Sequence, residues 1–163
     1  MCSMAYKKIK DDVLGELEHD VAWFRKENMT FLGKDYSVLM LVCCYDDEDI
    51  IPEQREAYLN FKKNNKRLIP EFEKEAFAYY QSVCEEYRDM LGDFADECAP
   101  IIHSIQELKG LVAPDCFSIE HTPSKRTINF CFSTKWDPEF DIGIRCVNEE
   151  ITVVGTHADA DIL

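Results

Sequence analysis

Thr127-Ile128-Asn129-Phe130-Cys131-Phe132-Ser133 is the stretch on which the reading of this chain turns. Ile128, Phe130 and Phe132 fall on one side of an extended backbone. Thr127, Asn129 and Ser133 fall on the other, with Cys131 among them. A period of two over seven residues predicts a half-buried antiparallel strand. Downstream, Ile144–Val147, a turn at Asn148-Glu149-Glu150 and Ile151–Val154 predict a hairpin. Upstream, Cys116–His121 predicts another strand, closed by the turn Thr122-Pro123-Ser124-Lys125.

The first third of the chain also reads as β. Val21, Trp23 and Phe24 predict one short strand, Met29–Leu32 a second, and Tyr36–Cys44 a central strand after the turn Gly33-Lys34-Asp35. The middle is helical. Pro52 suits the first turn of a helix reaching about Lys63, Asn64-Asn65 breaks it, and Pro70 suits the first turn of a second helix. In that second helix Phe72, Ala76, Tyr80, Val83, Tyr87 and Met90 form one apolar stripe, and Gly92 is placed to end it. Ser104-Ile105-Gln106-Glu107 is a capping-box pattern for a short third helix over Ile105–Lys109. Strands, then helices, then strands predict one α+β domain over residues 1–163. Its antiparallel sheet is built from N- and C-terminal strands, with two or three helices packed on one face.

Eighteen Lys and Arg stand against 32 Asp and Glu, a net charge of -14. Such a surface repels phosphate backbones and argues against DNA or RNA as a partner, while it attracts basic proteins. The longest apolar run, Val38–Tyr45, is far short of the ~20 residues a membrane helix needs. No apolar segment follows the N-terminal lysines, so no secretory signal is expected. Eight cysteines, from Cys2 to Cys146, lie mostly in apolar segments without a C-x-x-C spacing. That is the usage of small buried hydrophobes in a reducing cytoplasm.

Trp136-Asp137-Pro138-Glu139-Phe140-Asp141-Ile142-Gly143-Ile144-Arg145 interrupts the C-terminal strands. It resembles the motif Trp-Asp-x-Glu-His-Gly-x-Gly-Val-Arg of an uncharacterised bacterial family of unknown function. Trp136, Asp137, Glu139, Gly143 and Arg145 match it. Val154-Gly155 and Asp161-Ile162-Leu163 resemble the family's tail, and Val13-Leu14-Gly15-Glu16-Leu17 a recurrent piece near its start. Phe140 replaces the family histidine and Asp141 the following glycine, so any acid–base or metal role of that histidine is lost here. Relatives of this kind occur beside toxin genes, and the resemblance implies an immunity role.

The residues themselves offer little catalytic chemistry. Asp137, Glu139 and Asp141 alternate, yet an EF-hand loop needs glycine at its sixth position and glutamate at its twelfth. Ile142 and Asn148 stand there. The corner is better read as architecture: Asp137 caps the turn, Pro138 fixes φ, Gly143 allows an unusual backbone angle and Trp136 plugs the core. His157, Asp159 and Asp161 would share a face if extended, and read as a polar tail. Cys98 and His103 lack a thiolate-stabilising setting, and no glycine loop cradles phosphate. No cofactor and no metal-ligand set is expected. The expected function is that of a non-enzymatic, acidic, cytoplasmic binding protein for a basic partner. Asp46, Asp47, Glu48 and Asp49, or the acidic helix face, would make the contact. The alternative is a metal-assisted hydrolase using Asp137, Glu139 and Asp141.

Overall fold

The computed structural model describes residues 5–45 and 48–161. Eight strands form one sheet in chain order: β1 (Lys7–Asp11), β2 (Gly15–His19), β3 (Trp23–Phe31), β4 (Lys34–Val42), β5 (Val112–Ile119), β6 (Thr127–Thr134), β7 (Ile142–Val147) and β8 (Glu150–Thr156). Two four-stranded antiparallel meanders meet where β4 and β5 run parallel. A parallel pair needs a long crossover. Here that crossover contains one helix, α1 (Pro52–Leu91), of 40 residues.

Turn chemistry sets the registers. Leu32 and Gly33 both have positive φ, as do Asn148 and Glu149. Each pair makes a two-residue loop whose twist matches that of its flanking strands. At the first hairpin Asp11 Oδ1 accepts the amides of Val13 and Leu14, and Gly15 returns the chain with φ 86°.

One sheet face carries the core. Val38, Met40, Val42, Phe117, Ile119, Ile128, Phe130, Phe132, Ile142 and Ile144 are all buried. Against them α1 lays Ala57, Phe61, Leu68, Phe72, Ala76, Tyr80 and Cys84, mostly at intervals of four. Phe72 and Phe130 meet with ring centroids 4.6 Å apart. Gln54 is the one buried polar side chain on this helix. Its Nε2 donates to Cys43 O at 2.8 Å and Ile119 O at 3.2 Å, while its Oε1 accepts from Ile51 N. It therefore knots the helix start to the ends of β4 and β5.

The helix lies along the strands and is longer than they are. Gln54 sits at the ends of β4 and β5, and Glu73 accepts the Leu32 amide at the start of β4. Those 19 helical steps span about 29 Å, which is the length of a nine-residue strand. Everything beyond about residue 77 overhangs the sheet. A loop after α1 wraps the overhang: a 3-10 turn (Gly92–Phe94), the one-turn helix α2 (Ala95–Cys98) and a second 3-10 turn (Ile105–Leu108). Ala95, Ala99, Ile102 and Leu108 are among its buried contributions.

Several expectations are overturned. One long helix replaces the two predicted around Asn64 and Pro70. Asn64 stays helical, its Nδ2 donating to Asn60 O at 2.8 Å. Pro70 is exposed, as is Lys66, whose carbonyl loses its partner to the proline. The unbroken stripe from Phe61 through Phe72 holds both in the helix. The strands predicted around Trp23 and Met29 are one strand. The β1–β2 hairpin was not expected, because its lysines and glutamates hide the alternation of Ile9 and Leu17. The predicted third helix is a 3-10 turn. Nor do the helices share one face: α3 (His157–Asp161) lies on the other. The polar tail that contains it is capped by Thr156 and Asp159 rather than extended. Cys2, Asp46, Asp47 and the Ile162-Leu163 tail lie outside the described residues.

Candidate functional site

The Trp136–Arg145 corner leaves β6 and re-enters at β7. Trp136 is 4% exposed and packs on Tyr80, their ring centroids 4.5 Å apart. Asp137 Oδ1 accepts the amides of Glu139 and Phe140, and its Oδ2 accepts the Tyr87 hydroxyl. That bond and burial push the Tyr87 phenol well above its ordinary range, burial acting most strongly. The corner is thus a clamp that ties the overhanging part of α1 to the sheet.

Gly143 serves a purpose the sequence did not suggest. Its φ is not positive, so it supplies no unusual angle. A Cβ there would come within 2.7 Å of Ala160 Cβ and of Thr156 O. Its register partner Gly155 would put a Cβ 2.5 Å from Asp159 Oδ2. The two motif glycines form a bare floor on which α3 sits. The cap of α3 is reciprocal: Thr156 N donates to Asp159 Oδ2 and Asp159 N to Thr156 Oγ1. The Thr156 amide and hydroxyl, both donating to Asp159 Oδ2, hold that carboxyl below its ordinary range. The pattern Thr156-x-x-Asp159 was legible in the sequence as a helix start.

The three alternating carboxylates do not converge. Asp137 faces Tyr87, Glu139 is exposed, and Asp141 turns under the sheet, where its Oδ2 accepts from Cys131 Sγ at 3.7 Å. A hydrolytic metal centre on these three finds no support in this geometry.

Of the acidic loop, Glu48 and Asp49 are described. Glu48 Oε2 accepts the Tyr45 amide and lies 3.5 Å from His121 Nδ1, so part of its charge is spent internally. Asp49 is exposed. Both border a polar cleft of about 670 Å³ with Lys7, His19, Trp23 and Arg55. Its charges are mixed in sign, and Arg55 is already paired with Asp11 at 2.9 Å.

The overhanging end of α1 is different. Glu85, Glu86, Asp89, Asp93, Asp96 and Glu97 are all exposed. Arg88, the one base in that run, pairs with Asp96 at 2.7 Å. Among these carboxylates Met90 is 72% exposed and Phe94 62%. This tip and the loop at residues 46–49 flank opposite ends of a helix about 60 Å long, so they cannot serve one small contact.

Among the described residues no helix is long and apolar enough to cross a membrane. The profile of a domain of unknown function, DUF6985, matches residues 13–162. No curated protein and no solved structure matches the chain.

Proposed function

Since the chain belongs to the DUF6985 family, whose description assigns no chemistry, we propose its function from the surface: a non-enzymatic cytoplasmic protein that binds and blocks a basic protein partner. The observation that carries this reading is the tip of α1, where two large apolar side chains stand exposed along a run of exposed carboxylates. Exposed apolar groups supply anchors for binding, and like-signed charge around them speeds encounter with a cationic surface and rejects acidic ones. A net charge of -14 extends the same field over the molecule. A basic toxin neutralised by its immunity protein is a partner of this kind. No disulfide joins the seven described cysteines, which fits a reducing compartment.

The test uses the full chain as bait in lysate of its native host at low salt. Beside it run a tip variant (Glu85→Lys, Glu86→Lys, Asp89→Lys, Asp93→Lys) and a loop variant (Glu48→Lys, Asp49→Lys). The reading expects a basic protein retained by the wild type and the loop variant, released by salt, and lost from the tip variant. Retention of the same proteins by all three baits sinks it.

A further inference from the structure

On the sheet face opposite α1, Asp115, Cys116 and Cys131 bring their ligand atoms within 4.8 Å of one another. The backbone explains how neighbours in sequence converge. Cys116 stands directly across from Cys131, and the ladder slips between Pro114 and Cys116. At such a bulge two residues oppose one, so a side chain that alternation would send to the other face is re-aimed. Asp115 is that residue. Asp141 borders these three from the far end of the corner, its Oδ2 3.7 Å from Cys131 Sγ. Its Oδ1 is shut off from solvent and has no hydrogen-bond partner.

We propose that Cys116, Cys131, Asp115 and Asp141 form a zinc site that staples the β5 bulge to the Trp136–Asp141 corner. Two thiols and two carboxylates crowded together make a set of groups that cannot all ionise without a cation. Paired thiolates select a soft or borderline ion over magnesium or calcium, and four protein ligands describe a closed structural site. Zinc–sulfur bonds of about 2.3 Å and zinc–oxygen bonds of about 2.1 Å set ligand separations near 3.4–3.8 Å. Asp115 is exposed and Cys116 half-buried, so the ion has a way in, while Cys131 behind them is 7% exposed. Binding releases the thiol protons to solvent, and the thiolate sulfurs bond the metal. The site performs no hydrolysis and is independent of the α1 tip.

The experiment is a titration of the reduced, chelator-stripped full chain with cobalt(II), followed by zinc. The expected result is one equivalent of tetrahedral cobalt with a thiolate-to-metal charge-transfer band, bleached by zinc. Zinc in hundredfold excess over its Kd is expected to raise Tm by roughly 5–10 °C. Cys116→Ser and Cys131→Ser remove the band, Asp141→Asn weakens binding at least tenfold, and Cys43→Ser changes nothing. If Cys131→Ser does not fold, the outward-lying Cys116→Ser and Asp115→Asn variants decide. A folded protein with no thiolate band overturns the proposal. So does a band that survives Cys116→Ser, or a Cys116–Cys131 disulfide that forms equally fast with zinc present.

Discussion

At the scale of single residues, the chain distinguishes two reasons for glycine. Gly33 has φ 75° and open space where a Cβ would go. Gly143 has ordinary strand angles and no space at all. The same substitution therefore costs differently at the two. Gly33→Ala is expected to lose about 1 kcal/mol through left-handed strain alone. Gly143→Ala must displace the backbone of α3 and is expected to lose about 2–3 kcal/mol. Urea unfolding measures both, and equal losses would show that α3 does not rest on Gly143. Hydrogen exchange adds a local reading: α3 amides lose protection in Gly143→Ala and keep it in Gly33→Ala. Gln54 makes a parallel point for polar groups. Gln54→Leu fills the same volume but removes the bonds to Cys43 O and Ile119 O and the acceptor of the Ile51 amide. The expected cost is about 2–3 kcal/mol, against well under 1 kcal/mol for Gln106→Leu at an exposed position.

At the scale of elements, what was legible followed the clarity of the pattern. The alternation of Ile128, Phe130 and Phe132 marked β6, and the spacing of Phe72, Ala76 and Tyr80 marked the buried face of α1. The β1–β2 hairpin carries one apolar residue per strand on the core face, Ile9 and Leu17, and its lysines and glutamates resemble a solvated loop. Asn64-Asn65 and Pro70 are local breakers, and local preference lost to the packing of Phe61, Leu68 and Phe72 on either side. The corner was readable as architecture because tryptophan, Asp-Pro and glycine each have a structural use. What Gly143 makes room for was not, since α3 contacts it from 14 residues further on. The cysteine pair escaped for a similar reason: Cys116 and Cys131 are 15 apart, and only strand pairing and a bulge unite them. Pro70 keeps its penalty inside α1. Pro70→Ala restores a helical hydrogen bond on the exposed side and is expected to stabilise the protein by about 1–3 kcal/mol. A denaturation midpoint that does not rise would mean the helix is built around the proline.

At the scale of the whole molecule, a few ion-paired carboxylates join parts distant in sequence. Asp11 binds Arg55 of α1 at 2.9 Å while its other oxygen holds the β1–β2 turn. Glu27 of β3 accepts the Tyr58 hydroxyl at 2.6 Å and pairs with Arg25 and Lys62. Burial alone would raise both carboxyls, but the amides, hydroxyl and bases around them outweigh it, and both titrate below their ordinary values. The direction of the pH effect follows. A carboxyl whose folded pKa is depressed binds fewer protons folded than unfolded. Its stabilisation is complete above the ordinary value, 3.8 for Asp11 and 4.5 for Glu27. It is lost as pH falls through the lower, folded value. Protonating the many surface acids works the other way, by relieving the self-repulsion of a chain at -14. The two effects separate in a variant. Glu27→Gln is expected to cost about 1–3 kcal/mol at pH 7. It should cost progressively less below the ordinary glutamate value, where the wild type loses the same ion pairs. Urea unfolding from pH 7 to pH 3 gives both curves. They should converge in acid; curves that stay parallel to the lowest pH would mean that Glu27 does not tie β3 to α1 through its charge.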